Sequence, residues 1–345
     1  MHTIKHIYEP LLNKEYIIHI IDLAAKGKKK RGEVQTVLAN KEYYADQILN
    51  MLQTGYFKLL PYHHKTITEK GKKRELTISP FFPNRILDYI VVETLKPYIR
   101  KSMYHYCIGN VDKRGITFGV EAIKKHYRQY KYYIQLDIKK YYPSVKSETL
   151  CKFIETKVKD EQFMKLCRAV VTQCDDLPIG SYYSQWFSNW YLQDIDYKIK
   201  QQLKIPFYVR YVDDMLLMGN NKRKLLNAMY NVNRILDEKG LSLKHFPQVK
   251  QWEIAPIDFL GFRFGNIVKA RKAMFRRLTK VLRKVNLRRF ISVEQARTLL
   301  AYLGWMKYTT YGYMFYKNNI KPLAPKGALR RIISNYDRRL KICPN

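Results

Sequence analysis

Phe207-Tyr208-Val209-Arg210-Tyr211-Val212-Asp213-Asp214-Met215-Leu216-Leu217-Met218 is the stretch on which the reading of this chain turns. Two largely apolar arms, Phe207 to Arg210 and Met215 to Met218, flank Val212-Asp213-Asp214, a pattern that predicts a tight hairpin with adjacent acids at its tip. Taken singly, an Asp-Asp pair at such a tip is more often a solvated turn, because Asp is a favoured turn residue. Apolar strands on both sides change the balance: they set two like charges against a buried sheet, where a cation would relieve them. Upstream, Tyr132 to Leu136 reads as a second short apolar strand that runs directly into Asp137, and the chain breaks again at Pro143.

Working outward, apolar residues recur at helical spacing from Ile4 to about Gly55, interrupted by the basic cluster Lys26-Gly27-Lys28-Lys29-Lys30-Arg31-Gly32, which predicts two or three helices with a charged loop between them. Lys65 to Ser79 alternates around Glu69-Lys70-Gly71-Lys72 and predicts a β-hairpin whose second arm carries Lys73 and Arg74. Pro83 opens a helix with the apolar face Ile86, Leu87, Ile90, Val91 and Leu95, expected to end near Pro97. Helices are expected between Glu148 and Cys174, from about Ser184 past Tyr197, and through Leu225 to Leu236. Asp258-Phe259-Leu260-Gly261-Phe262 reads as a strand and turn. From about Lys269 the chain is basic and helical in pattern.

The bulk properties limit the function. A chain of 345 residues with 46% hydrophobic content can bury one large core or closely apposed subdomains. A formal net charge of +35 calls for a polyanion, nucleic acid first. No apolar run approaches the ~20 residues that span a bilayer, and charges at Lys5, Glu9, Lys14 and Glu15 do not suit a signal peptide, so no membrane partner and a cytoplasmic location are expected. Five scattered cysteines without a C-x-x-C pair point to reduced thiols rather than zinc or redox chemistry. The 29 tyrosines among lysines and arginines suit base and ribose stacking, although most are ordinary core and rim residues.

Adding a nucleotide to a primer needs charge stabilisation on both the attacking and the leaving oxygen. Two divalent ions about 4 Å apart supply it when carboxylates on rigid strands hold them, and Asp137, Asp213 and Asp214 meet that requirement. Magnesium is the expected ion, a hard cation that favours oxygen ligands, and manganese can substitute.

Gln135-Leu136-Asp137-Ile138-Lys139-Lys140-Tyr141-Tyr142-Pro143-Ser144 resembles the first palm motif of reverse transcriptases, and Tyr211-Val212-Asp213-Asp214 is similar to their Y-x-D-D motif. Leu177-Pro178-Ile179-Gly180-Ser181-Tyr182-Tyr183-Ser184-Gln185 lies where the second palm motif belongs. Lys73-Arg74 with Asn84-Arg85 resembles the fingers element, and Phe259-Leu260-Gly261 resembles the primer-grip turn. The five occur in order between Lys70 and Gly261. The resemblance implies an α+β right hand with an antiparallel palm sheet: fingers and an N-terminal extension over 1–128, the palm over 129–265 and a helical basic thumb over 266–345. It implies Asp137, Asp213 and Asp214 as metal ligands with the Ile138 backbone carbonyl, Lys70 and Arg74 on the triphosphate, and Tyr142 as a steric gate against a 2′-hydroxyl. Ile179 and Gly180 would lie at the incoming base pair, and Tyr211, Gln185, Leu260 and Gly261 would face primer or template.

The second palm motif departs from the common P-Q-G-x-x-x-S-P pattern, having Pro178-Ile179-Gly180 and then Ser184-Gln185. In this it is similar to the reverse transcriptases of diversity-generating retroelements, which make error-prone cDNA. That likeness implies a structured template RNA, a cDNA or primer, deoxynucleotide triphosphates, and a small basic oligomeric accessory protein, in a bacterial or phage-encoded system. A retron or phage-defence enzyme would share the catalytic residues, but the retron V-T-G signature is missing. A group II intron enzyme would carry a longer region after Gly261. A non-catalytic RNA-binding protein with a polymerase-like palm would be expected to lose an essential acid, and all three are intact.

Overall fold

The computed structural model describes residues 3–69, 71–288 and 290–342. Lys70 and Cys343 therefore lie outside the described residues. The chain opens with three helices, α1 (Lys14–Ala25), α2 (Gly32–Ala39) and α3 (Lys41–Thr54). Asn13 caps α1 by accepting from the Tyr16 N–H, and Gly55 ends α3 in the left-handed region. The expected hairpin follows as β1 (His63–Glu69) and β2 (Lys72–Ile78), paired from His63↔Ile78 to Glu69↔Lys72.

Helix α4 (Ile86–Ser102) does not end at Pro97 as expected but continues for five residues with the proline inside it. Proline already has a helical φ, and the extra turn buries Ile99 completely, which offsets the lost backbone bond. The segment after α4 loops until α5 (Ile116–His126) and leads into β3 (Tyr132–Leu136). The break expected at Pro143 is instead a single helical turn, α6 (Tyr141–Ser144), entered through Lys140 at φ 46°. Then come α7 (Ser147–Glu155), α8 (Glu161–Val171), α9 (Tyr182–Tyr191) and α10 (Gln193–Tyr197).

The sequence stretch around Asp213-Asp214 forms β4 (Phe207–Tyr211) and β5 (Asp214–Gly219), followed by α11 (Lys222–Glu238) and β6 (Lys250–Gln251). These strands make a sheet of order β4-β5-β3-β6, antiparallel at every pairing. Its apolar strands do not alternate with polar residues because both faces are covered. Ile134, Leu136, Met215 and Leu217 face the helical core, whereas Tyr133, Leu216, Met218, Phe207 and Val209 face a second core with Trp252 and Phe262. That second core is completed by β7 (Ile257–Phe259), β8 (Phe262–Phe264) and β9 (Lys269–Ala270), a small antiparallel sheet. The basic end folds into α12 (Lys272–Arg288), α13 (Val293–Met306), α14 (Gly312–Phe315) and α15 (Lys326–Ile342) around its own core of Leu278, Leu282, Leu299 and Leu329. No helix among the described residues is long and apolar enough to cross a membrane.

Candidate active site

Strands β4 and β5 turn in two residues: Tyr211 pairs with Asp214, which leaves Val212 and Asp213 as the loop. Val212 has φ 57°. A β-branched residue in the left-handed region costs about 1–2 kcal/mol and persists only where its surroundings impose it. Two contacts impose it here. The Val212 side chain fits against Gly109, where an added Cβ would lie 2.6 Å from Cγ2, and the Val212 carbonyl accepts from Arg210 Nη1 at 3.0 Å. Arg210 is fully buried. Its Nε and Nη2 donate to the two Asp196 carboxylate oxygens at 2.7 and 2.5 Å, and Nη1 and Nη2 donate to Oδ1 and the carbonyl of Asn189 at 3.2 and 3.1 Å.

Asp137 is brought to the same place by strand register. Leu136 pairs with Met215, so one further step sets Asp137 opposite Asp214. Beyond it the backbone stays anchored: Ile138 bridges Leu243, and the Lys139 and Lys244 N–H groups donate to Ser242 and Asp137 carbonyls, each at 2.9 Å. Lys244 Nζ then lies 2.6 Å from Asp137 Oδ2.

The acids feel one another. Asp213 is pushed up to about 6 by burial, then by Asp214 and more weakly by Asp137, with Arg74 pulling the other way. Asp214 opens to solvent, yet the protein beneath it and Asp137 beside it also raise its carboxyl, against Lys244 and Arg271. Among the described residues no three His, Cys, Asp or Glu side chains converge closely enough to ligate one ion. Asp137 is paired with Lys244. The donors suit a hard divalent ion nonetheless: all are carboxylate oxygens, carried at the ends and turn of paired strands.

Tyr142 stands on α6 within the electrostatic reach of Asp213, Tyr211 and Arg74, its hydroxyl tied to Ser188. Arg74 is exposed on β2 opposite Ile67, and its charge acts on both Asp213 and Tyr142. The loop before α9 is stitched to that strand, since the Thr77 N–H donates to the Ile179 carbonyl at 2.9 Å. Gly180 has φ 125°, and a Cβ there would lie 2.5 Å from the Thr77 carbonyl. Its glycine is thus required by a backbone contact within the protein, where the sequence suggested only approach to a base pair. Ile179 is half-buried and Gln185 projects from an otherwise buried helix face. Leu260 and Gly261, at φ 52° and 85°, form the two-residue turn between β7 and β8. The Gln135 side chain donates to the Asp258 carbonyl at 2.9 Å, which ties that hairpin to β3.

Three residues of the site escaped the sequence reading. Arg210 passed as part of an apolar arm, and its signal was a lone cation in an apolar strand. Asp88 interrupts the apolar face of α4 in the same way. It is 1% exposed and accepts from the Tyr182 and Tyr183 N–H groups at 2.9 and 2.8 Å. It thereby caps α9 in place of Ser181, which makes no cap with its side chain. Burial pushes Asp88 up to about 6 despite those two donors. Lys244 carries no local signal.

Acids at the ends of paired strands, with Arg74, Lys244 and Tyr142 about them, are the kind of arrangement that phosphoryl transfer requires. The model of the family described as reverse transcriptase (RNA-dependent DNA polymerase) matches residues 63–264, and this chain belongs to that family. It is an RNA-directed DNA polymerase, a nucleotidyltransferase that acts on a nucleic-acid template with deoxynucleotide triphosphates. No curated protein matches the chain.

Proposed function

We propose that Asp137, Asp213 and Asp214, with the Ile138 carbonyl, hold two magnesium ions and that the enzyme makes error-prone cDNA for a diversity-generating retroelement. The observation that supports the site is the register that sets Asp137 opposite Asp214, next to an Asp213 raised to about 6. Bound divalent ions would stabilise the attacking 3′-oxygen and the leaving pyrophosphate, and manganese can take their place. The chain's own residues do the rest. Arg74, with Lys70, holds the triphosphate through a planar guanidinium suited to phosphate, and the Tyr142 ring crowds the 2′-position. Tyr211, Gln185, Leu260 and Gly261 face the primer and template strands. The right-hand division assigns 1–128 to the fingers and N-terminal extension, 129–265 to the palm and 266–345 to the thumb, whose cations follow the duplex backbone.

The retroelement reading is supported by Ile179 before Gly180 and by Ser184-Gln185 in place of the commoner residues. It brings a structured template RNA and a small basic oligomeric accessory protein as partners, in the cytoplasm of a bacterial or phage-infected cell. Two experiments test the proposal. Replacement of Tyr142 by Ala is expected to admit ribonucleotides in competition assays on a primed RNA template, and unchanged sugar selectivity would remove the gate. Flanking DNA that holds a repeat pair differing only at adenines, beside a small basic reading frame, would support the retroelement class. A retron-type RNA gene there would overturn it in favour of defence.

A further inference from the structure

A buried arginine is costly unless its partners are complete, and an apolar side chain would pack β4 at least as well. Phe207, Tyr208 and Val209 fill the preceding positions of the strand, and Arg210 is 0% exposed. Asp196 on α10 and Asn189 on α9 are 2% and 1% exposed and take up four of its hydrogen bonds. Tyr208 donates its hydroxyl to the same Asp196 oxygen at 2.7 Å. Asn189 is itself held, its amide donating to the Gly109 carbonyl at 2.6 Å, and Gly109 is the surface against which Val212 rests. The fifth bond of Arg210 leaves this closed group and goes to the Val212 carbonyl.

That carbonyl belongs to the peptide that links Val212 to Asp213. The N–H of the same peptide is that of Asp213 itself. One end of the peptide plane is therefore fixed by Arg210 and the other end meets a reacting-site acid. Rotation of the plane would move Asp213 and, one residue on, Asp214. We infer that Arg210, clamped by Asp196 and Asn189, is a positioning residue of the polymerase: it holds Val212 in the left-handed conformation and so sets the aim of Asp213 and Asp214. The inference rests on those two acids being the catalytic ones.

The test uses the full chain with Arg210→Lys, which keeps a positive charge beside Asp196 but cannot span Asp196, Asn189 and the Val212 carbonyl at once. On a primed RNA template kcat should fall by roughly tenfold or more, while KM for deoxynucleotides and template–primer affinity stay within about twofold, the mark of an interaction used in the transition state. The magnesium midpoint for incorporation should rise by about threefold, and direct manganese binding followed by electron paramagnetic resonance should weaken in parallel. Adding Val212→Gly to Arg210→Lys should restore about threefold or more of the lost kcat, because glycine adopts this turn unaided. A folded Arg210→Lys protein with wild-type kcat and metal midpoint, or one whose loss follows only its folded fraction and is not rescued, overturns the inference. If Arg210→Lys does not fold, Asn189→Ala, which removes no charge, is read on the same measures: a severalfold fall in kcat with a raised midpoint supports the clamp, and wild-type values overturn it. Asp213→Asn is the control for the underlying assignment, since an active Asp213→Asn enzyme would mean that the acids, not the clamp, were misread.

Discussion

Two hairpins bring charged residues to the candidate site, and they are made in different ways. The β1–β2 hairpin turns between Glu69 and Lys72 with Gly71 at φ 79°, in open space where an added Cβ would touch nothing. The β4–β5 hairpin turns between Tyr211 and Asp214 with a valine at φ 57°, wedged against Gly109 and tied to a buried arginine. Glycine reaches that conformation at no steric cost, so the first turn is specified by its own residues. The second is specified by side chains from α9 and α10. A local turn is the freer to flex, which would suit the cation proposed to hold a triphosphate; a turn held by tertiary contacts is less free, which would suit acids proposed to hold metal ions to a fixed geometry.

The largest effect should come from removing the charge that each hairpin brings to the site. Asp213→Asn removes a charge worth several kcal/mol at the reacting centre and should lower kcat by about a thousandfold. Arg74→Ala should raise the KM for deoxynucleotides by about tenfold, the scale of one charge-assisted hydrogen bond, with a smaller change in kcat. Steady-state incorporation on primed RNA reads both. Equal kcat losses from the two changes would break the contrast.

Asp88 connects the two regions, because it caps α9 directly after the Ile179–Gly180 loop that β2 holds. Its carboxyl is raised in the folded protein from 3.8 to about 6. The stability that follows from protonation is therefore full below the unfolded value and is lost as pH rises through about 6. The loss amounts to about 3 kcal/mol. Asp88→Asn cannot ionise, so the melting temperature of Asp88→Asn minus that of the wild type should increase from pH 4 to pH 7. A difference independent of pH would mean that the carboxyl is not held in this way.

How far the sequence could be read follows the same division. Local signals are enough for β3, the β4–β5 hairpin and the β1–β2 hairpin, because apolar runs and turn residues lie next to the elements they define. They failed at Pro97, where tertiary burial of Ile99 carries the helix past a proline. They failed again at the supports of the site. Arg210 finds its partners 14 and 21 residues away, Asp88 finds Tyr182 94 residues away, and Lys244 reaches Asp137 across 107. No single helix or strand contains both members of any of those pairs. The Thr77 carbonyl that crowds Gly180 comes from β2 and likewise leaves no signal beside the glycine in the sequence.

A smaller effect is expected where the turn is local. Gly71→Ala forces a side chain into the left-handed region at about 1–2 kcal/mol, with no clash to add to it. If this exposed hairpin opens separately from the palm sheet, the cost should appear as amide exchange in β1 and β2 about tenfold faster, while exchange in β4 and β5 and the overall melting temperature hardly change. Faster exchange in both hairpins would show that they are one cooperative unit and that the contrast drawn between them is false.

The smallest effect concerns Ile179, where most of the family places glutamine. Its carbonyl is fixed to Thr77 at 2.9 Å and its side chain is half-buried, so the backbone there is held whatever the side chain is. At a nascent base pair, as proposed above, isoleucine would offer contact area but no hydrogen bond. A glutamine could fix one pose over another by about 1 kcal/mol, which changes an error ratio about fivefold. Ile179→Gln is therefore expected to keep the fold and most of the activity, and to lower misincorporation, more at template adenines than at other bases if the retroelement reading holds. Sequencing of cDNA made by both proteins on one template measures this directly. A uniform fall across all four bases would assign Ile179 to general fidelity and remove it from the case for a diversity-generating enzyme. An unchanged error spectrum in a folded, active protein would leave the residue as a packing contact between the loop and β2, and the selectivity of the cleft would then rest on Tyr142 and the two hairpins alone.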